Sequence, residues 1–363
     1  MRRLPTLLLL ALAGLASAAE SRPNIIFILA DDLGYGEVGF MGQKKILTPN
    51  LDRLAAQGLR LTNHHHCQNC APTRSALLSG QYGARTGTYT VGSIDRFDWQ
   101  ARPLRPVDNV TKLSLERDTF ADQLKAAGYA TGMFGKWHLG HGTGAPAPEA
   151  YGIDVSRTQN SSGTPLGDEG KEPYFRARST TLMVDETIKF AQANKDRPFY
   201  VNLWTLVPHA ALKPTPEQLA VYAELQPKAD DPAFGEWTRK YYANAKDLRS
   251  QMQVFCASLT DLDTQILGCL ASDGDAVVRG GGGFFQRGSP GGRVKVDEFD
   301  EEIKIVLRVG GAGHKRQAQA SIDVADCWFG RKLVGDGRSN GVEGVELHDY
   351  PVGPRFIELS ADL

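Results

Sequence analysis

This sequence lacks an excess of charge of either sign, because its 363 residues include 41 Lys and Arg and 42 Asp and Glu. Nucleic-acid-binding proteins are usually basic, and acidic tails carry blocks of like charge, so neither class is favoured. We therefore expect no nucleic acid as a partner. The length is ample for a large core, either as one α/β domain or as a domain with an appendage.

The sequence also lacks an apolar segment long enough to cross a bilayer. The apolar run at residues 7–15 follows two arginines and precedes the small-residue stretch Ala16-Ser17-Ala18-Ala19. This arrangement is typical of a secretory signal peptide, whereas a membrane anchor needs about 20 apolar residues. We expect a signal peptide over residues 1–19, no stable membrane insertion, and an exported protein that is secreted, lysosomal or periplasmic.

Cysteine is scarce, with five residues: Cys67, Cys70, Cys256, Cys269 and Cys327. In an oxidising compartment an odd number leaves one over, and if Cys70 is chemically modified the other four can pair. Cys67 and Cys70 form a Cys-x-x-Cys, but no thioredoxin-like sequence surrounds it, which disfavours redox catalysis. Two sequons, beginning at Asn109 and Asn160, are candidate glycosylation sites in a eukaryotic host.

Nearly continuous apolar runs predict strands at residues 24–30, 129–134 and 198–204. Such runs are typical of strands covered on both faces in a parallel sheet. Caps, amphipathic spacing and terminal glycines predict helices over residues 48–58, 70–80, 118–128, 180–194 and most of 217–267.

Three further segments have a different character. Residues 59–63 resemble a short strand, and residues 142–178, rich in Gly, Pro and Ser, are expected to form a loop that borders a pocket. Within residues 268–363, glycines cluster at residues 274–292, and the charged residues 294–309 contain β-like stretches. Residues 310–363 show no clear period and no evident buried parallel strand.

The stretch of residues 70–80 combines a nucleophile with a cation. Pro72 suits the first turn of a helix, which places Cys70 near the helix start, where free N–H groups and the helix dipole favour an anion. Arg74, four residues on, would share the face of Cys70, so its guanidinium would lie beside the nucleophile position. A structural cysteine at a partly buried helix start explains this stretch alone equally well.

Polar residues follow each of the predicted strands, where open α/β sheets bind their ligands. Asp31 and Asp32 follow the first strand; their hard oxygens suit Ca²⁺ or Mg²⁺, and an Asp-rich turn is the alternative. Lys136 and His138 follow the second and would project to the same side of an extended backbone, offering a cation and a titratable imidazole. His209 lies just beyond the third.

By their order and spacing, the motifs of residues 23–266 resemble the N-terminal catalytic domain of a type I sulfatase, of the arylsulfatase and N-acetylgalactosamine-6-sulfatase kind. The motifs are Asn24–Asp32, Thr48–Asp52, Cys70-x-Pro72-x-Arg74 with Leu77–Gly80, Gly135–Gly140 and Pro208-His209. The resemblance implies an alkaline-phosphatase-like α/β fold, a three-layer sandwich around a large, mostly parallel central sheet. It gives a catalytic domain over residues 20–267 and an irregular or incomplete region over residues 268–363.

The resemblance also implies a sulfuric ester hydrolase that acts on a glycan or aryl sulfate. A formylglycine-generating enzyme would oxidise Cys70 to Cα-formylglycine, whose hydrated aldehyde attacks the sulfur. His138 would then take the proton of the second hydroxyl as sulfate is expelled.

The remaining roles implied by the resemblance are electrostatic. Arg74, Lys136 and His209 would neutralise the sulfate oxygens and the leaving oxygen. One Ca²⁺ would be held by Asp31 and Asp32 together with the oxidised side chain of residue 70.

The sequence departs from the family at a later calcium ligand pair, an Asp-Asn followed by a second lysine. It offers only Ser272-Asp273-Gly274, so Asp273 is the remaining candidate ligand. Two carboxylates alone bind Ca²⁺ weakly, because the ion takes about six to eight oxygens. A catalytically impaired or truncated sulfatase-like protein that at most binds sulfated ligands is therefore an alternative. A phosphoester or phosphonate hydrolase of the same fold is a third, which Cys-x-Pro-x-Arg disfavours.

Overall fold

A computed structural model of the chain describes residues 22–61, 64–96, 98, 100–231, 235–243 and 247–270, together with the backbone of residues 277–278, 294–295 and 303–309. These residues belong to one compact unit within residues 1–321. The predicted signal peptide and Asp273 lie outside the described residues. None of the helices in these ranges has the length and apolar character that a bilayer crossing requires.

The described strands are β1 Asn24–Asp31, β2 Ala130–Lys136, β3 Val155–Gln159, β4 Phe199–Pro208, β5 Val277–Val278, β6 Val294–Lys295 and β7 Ile303–Val309. The helices are α1 Pro49–Gln57, α2 Cys70–Ser79, α3 Gly83–Thr86, α4 Phe120–Ala126, α5 Phe175–Ala193, α6 Pro216–Ala220, α7 Glu236–Ala243 and α8 Leu248–Leu270. The main sheet has the order β3-β2-β4-β1-β7, and β5 and β6 form a separate antiparallel pair. All neighbours in the main sheet are parallel.

Helices cover both faces of this sheet. Alternate residues of β1 belong to two different hydrophobic clusters, because successive side chains of a strand point to opposite faces. Ile26 and Ile28 pack in one cluster with residues of α5 and α8, such as Leu259. Ile25 and Phe27 pack in the other cluster with residues of α2 and α4. The predicted three-layer arrangement around a parallel sheet is therefore confirmed.

Helix α1 begins after Thr48, as predicted, but its start is capped by a distant residue. The side chain of Thr48 makes no capping hydrogen bond. Instead, Asp263 of α8 accepts from the N–H groups of Leu51 and Asn50 at 2.7 and 3.2 Å, and from Asn50 Nδ2 at 2.9 Å. Asp263 is fully buried, so this carboxylate joins α1 to α8 through satisfied helix-end donors.

Two of the predicted segments differ in the structure. Residues 142–178 contain β3 and the first residues of α5 instead of a loop throughout, and residues 59–61 are not a strand. The sequence of β3 lacks the nearly continuous apolar run that predicts the other strands, because its inward positions are the polar residues Ser156 and Thr158. β6 and β7 lie within residues 294–309, where β-like stretches are predicted, and β7 pairs in parallel with β1 although charged residues interrupt its apolar sequence.

Candidate active site

Asp31, Arg74 and Lys136 form a buried ion triad at the carboxyl ends of β1 and β2. Arg74 Nη2 donates to Asp31 Oδ1 at 3.1 Å, and Lys136 Nζ donates to Asp31 Oδ2 at 2.5 Å. Arg74 Nη1 also donates to the carbonyl oxygen of Lys136 at 2.9 Å. The three residues are 3, 1 and 4 % exposed. The structure thus joins three of the predicted site residues, which come from two strands and a helix.

The ion triad keeps Asp31 ionised. Burial by itself would raise the pKa of this carboxyl group, but the charges of Arg74 and Lys136, and the hydrogen bond from Lys136, outweigh it. The net effect lowers the pKa of Asp31 below its ordinary value. Two cations against one carboxylate leave the triad with an excess positive charge.

Cys70 is the first residue of α2 and is half-buried. Asn69 precedes it in extended conformation, and its side chain makes no capping hydrogen bond. The residues that follow, Ala71 to Ser75, are all buried. The predicted helix start at Cys70 is confirmed, and Arg74 lies one turn further along the same helix.

Asp32 and His209 form a second, more exposed pair. Asp32 has a left-handed backbone (φ 63°), and its side chain is 52 % exposed. His209 directly follows β4, and its Nε2 lies 3.6 Å from Asp32 Oδ2. The two adjacent carboxylates therefore have different surroundings: Asp31 lies in the buried triad and Asp32 faces His209.

His138 differs from its prediction in backbone and in charge. β2 ends at Lys136, and His138 has a left-handed backbone (φ 58°), so the argument from an extended strand is wrong. Burial, with the nearby charges of Lys136 and Arg74, lowers the pKa of His138 to about 3. The imidazole is thus neutral at pH 7. The expectation that it titrates near neutrality is therefore wrong. Its Nδ1 is buried and has no hydrogen-bond partner.

The residues described here fit calcium in donor type but not in number. Asp31 and Asp32 supply hard oxygen donors, yet both oxygens of Asp31 already bind cations. Within the described ranges, no group of three or more His, Cys, Asp or Glu side chains could hold a metal ion. These residues therefore do not by themselves form a calcium site.

Comparison with known proteins decides the family. A sequence model of the Sulfatase family matches residues 23–271. The chain belongs to the sulfatase family. The predicted resemblance is therefore confirmed. The family match, together with a parallel sheet between two helical layers, also confirms the predicted alkaline-phosphatase-like fold class.

Individual relatives match this sulfatase over part of their length. Arylsulfatase A of Bos taurus is 46 % identical over 155 residues, which are 42 % of this chain and 28 % of that protein. Steryl-sulfatase of Homo sapiens is 42 % identical over 139 residues, 38 % of this chain and 23 % of that protein. A structure solved with its substrate D-glucosamine-2-N,6-O-disulfate is 22 % identical, with a TM-score of 0.49, covering 69 % of this chain and 62 % of that one. The chain thus spans about a quarter of the length of these two curated relatives.

Proposed function

We propose that this member of the sulfatase family hydrolyses sulfate esters, with residue 70 as the nucleophile position. The observation that carries the proposal is the ion triad, in which two buried cations face one carboxylate and Arg74 follows Cys70 by one turn of α2. A sulfate ester brings a negative charge, and buried cations stabilise such charge more strongly than solvated ones do.

Two observations on Cys70 support its role as the nucleophile position. It is half-buried at the start of α2, and the core of its motif, Cys-x-Pro-x-Arg, is intact for a formylglycine-generating enzyme as partner. When present, formylglycine supplies a hydrated aldehyde, which is a nucleophile with its own route for releasing sulfate. An unmodified cysteine lacks that route.

The other site residues divide into charge and proton roles. Arg74 and Lys136 are buried, and they attract the sulfate oxygens through the excess positive charge of the triad. His209 lies at the exposed side, where it would neutralise the leaving oxygen. His138 remains the candidate base because its imidazole is neutral at pH 7, although a pKa of about 3 makes it a weak one. Its buried Nδ1 has no hydrogen-bond partner.

The proposal includes one Ca²⁺ ion, which needs more oxygen ligands than the described residues offer. Asp31 and Asp32 would hold it, with further ligands from residues such as Asp273 that lie outside the described ranges. Bound there, the ion would polarise the sulfate. Export through the signal peptide of residues 1–19 completes the proposal.

An aryl sulfate assay on secreted protein, with and without a calcium chelator, tests this function. We expect turnover by the native chain, loss of it in Cys70→Ala, and retention in Cys67→Ala, a matched control because Cys67 is also half-buried and lies three residues away. Mass spectrometry of the tryptic peptide of residues 61–74, which contains both cysteines, reports the conversion of Cys70. Activity in Cys70→Ala would place the chemistry elsewhere.

An impaired sulfatase that only binds sulfated ligands is the second candidate. The incomplete calcium site of the described residues favours it. It predicts an unconverted Cys70 and no turnover, but measurable binding of a sulfated glycan. Preferred turnover of an aryl phosphate or phosphonate would instead support the phosphoester hydrolase alternative.

A further inference from the structure

The guanidinium of Arg74 lies against the indole ring of a residue that no sequence motif singled out. Arg74 Cζ is 4.9 Å from the centroid of the Trp204 ring. Trp204 is fully buried in β4, in register with Leu29 of β1 on one side and Gly135 of β2 on the other. It therefore occupies the centre of the sheet, beside both strands that end in the ion triad.

We propose that Trp204 is a positioning residue, which holds Arg74 in the orientation that the site uses. This inference rests on the proposed sulfatase function for its catalytic consequence. Arg74 has in-plane hydrogen bonds from Nη1 and Nη2, whereas its buried Nε has no partner. Two hydrogen bonds leave the guanidinium free to tilt, and a ring whose centroid lies 4.9 Å from its Cζ restricts that freedom.

The indole ring also replaces water next to the cation. Arg74 is 1 % exposed, so its face has lost its hydration. The negative face of an indole ring attracts a guanidinium, and the attraction is strongest where water is excluded. The ring thus stabilises the charged form without competing for the N–H groups that face Asp31 and Lys136.

Trp204 is itself held in place on both sides. Its ring stacks on Trp137 with centroids 6.2 Å apart and an interplanar angle of 15°, and Trp137 contacts Tyr151 at 5.4 Å. Gly135 has φ 117°, and a Cβ there would collide with the carbonyl oxygen of Trp204. Close approach of β2 to β4 therefore requires glycine at the residue directly before Lys136.

Ordinary core packing is the competing explanation, and Trp137 provides the control. Both indoles are fully buried in the same hydrophobic cluster, and the ring of Trp204 contacts both Trp137 and Arg74. Trp137→Leu removes as much buried ring as Trp204→Leu. If packing alone matters, the two substitutions should act on Arg74 alike.

Side-chain NMR of the arginine Nε–Hε groups gives a readout independent of activity. The resonance of Arg74, identified by its loss in Arg74→Lys, should be shifted upfield by the ring current in the native chain. It should stay upfield in Trp137→Leu and in part in Trp204→Phe, and return to the ordinary range in Trp204→Leu. The proposal would be overturned if the Arg74 resonance lies in the ordinary range in the native chain, or if the two Leu variants shift it equally. If Trp204→Leu does not fold, the spectra of the native chain and of Trp204→Phe are sufficient for the test.

Kinetics on an aryl sulfate test the catalytic consequence. We expect Trp204→Leu to lower kcat by about tenfold with little change in KM, and Trp204→Phe to recover most of that loss. An unchanged kcat in Trp204→Leu, despite the lost ring-current shift, would refute the positioning role. Absence of turnover in the native chain would refute the proposed function, while the NMR result still decides whether the Trp204 ring lies over Arg74.

Discussion

Replacing Asp31 by Asn tests the buried ion triad directly. The substitution keeps the size of the side chain but removes its charge, leaving Arg74 and Lys136 buried against a neutral amide. Breaking a buried ion pair costs about 3–5 kcal/mol, because the remaining charge is uncompensated. Arg74 retains its bond to the Lys136 carbonyl and its contact with Trp204, so we expect the lower end, about 3 kcal/mol.

Urea unfolding followed by circular dichroism measures this loss, with a chelator present so that metal binding does not contribute. For a domain of this size, about 3 kcal/mol corresponds to a fall in Tm of roughly 6–12 °C. Asp32→Asn is the matched control, since its side chain is exposed and its pairing with His209 contributes at most about 1 kcal/mol.

The dependence on pH gives a second check of the same reasoning. Asp31 has a lowered pKa in the folded state, so its stabilising contribution is present above its unfolded pKa of about 3.9. The contribution is lost as the pH falls through the folded value, and the native chain and Asp31→Asn should then converge. Equal destabilisation by Asp31→Asn and Asp32→Asn at neutral pH would refute the buried triad.

Three further predictions follow from other contacts. Asp263→Ala should lower the free energy of unfolding by about 2–4 kcal/mol, because the N–H of Leu51 loses its buried acceptor; an unchanged urea midpoint would contradict this cap. The imidazole of His138 should show no NMR titration between about pH 5 and 8, and its contribution to stability should be lost as the pH falls from about 6.5 towards its folded value of about 3; a midpoint near 6.5 would contradict its burial. In protein secreted from eukaryotic cells, glycopeptide mass spectrometry should find a glycan on the exposed Asn160 and none on Asn109, whose amide makes four hydrogen bonds within the fold.

The sequence predicts where the site lies because strand ends are visible in it. Asp31, Lys136 and His209 each end or directly follow an apolar strand, and parallel strands bring their carboxyl ends to one edge of the sheet. The start of α2 at Cys70 is equally visible, since Pro72 and the run of helix formers mark it.

Tertiary contacts decide what the sequence does not reveal. The left-handed backbone of Asp32 sends two neighbouring carboxylates into different surroundings, and no local pattern marks that conformation. The pKa of His138 depends on burial and on cations from two other elements. Asp263 caps a helix that begins more than 200 residues earlier, so the cap is visible only once α1 and α8 have met.

The burial of residues 71–75 limits when another enzyme can bind the segment that contains Cys70. Ala71, Pro72, Thr73 and Arg74 are inaccessible in the folded protein, and Arg74 is enclosed by Asp31, Lys136 and Trp204. Under the proposed function, a maturation enzyme that reads Cys-x-Pro-x-Arg as a linear segment must therefore reach it before β1, β2 and β4 have assembled. Folding would then end the period in which Cys70 can be converted, and the yield of converted protein would depend on whether the enzyme binds before the chain folds.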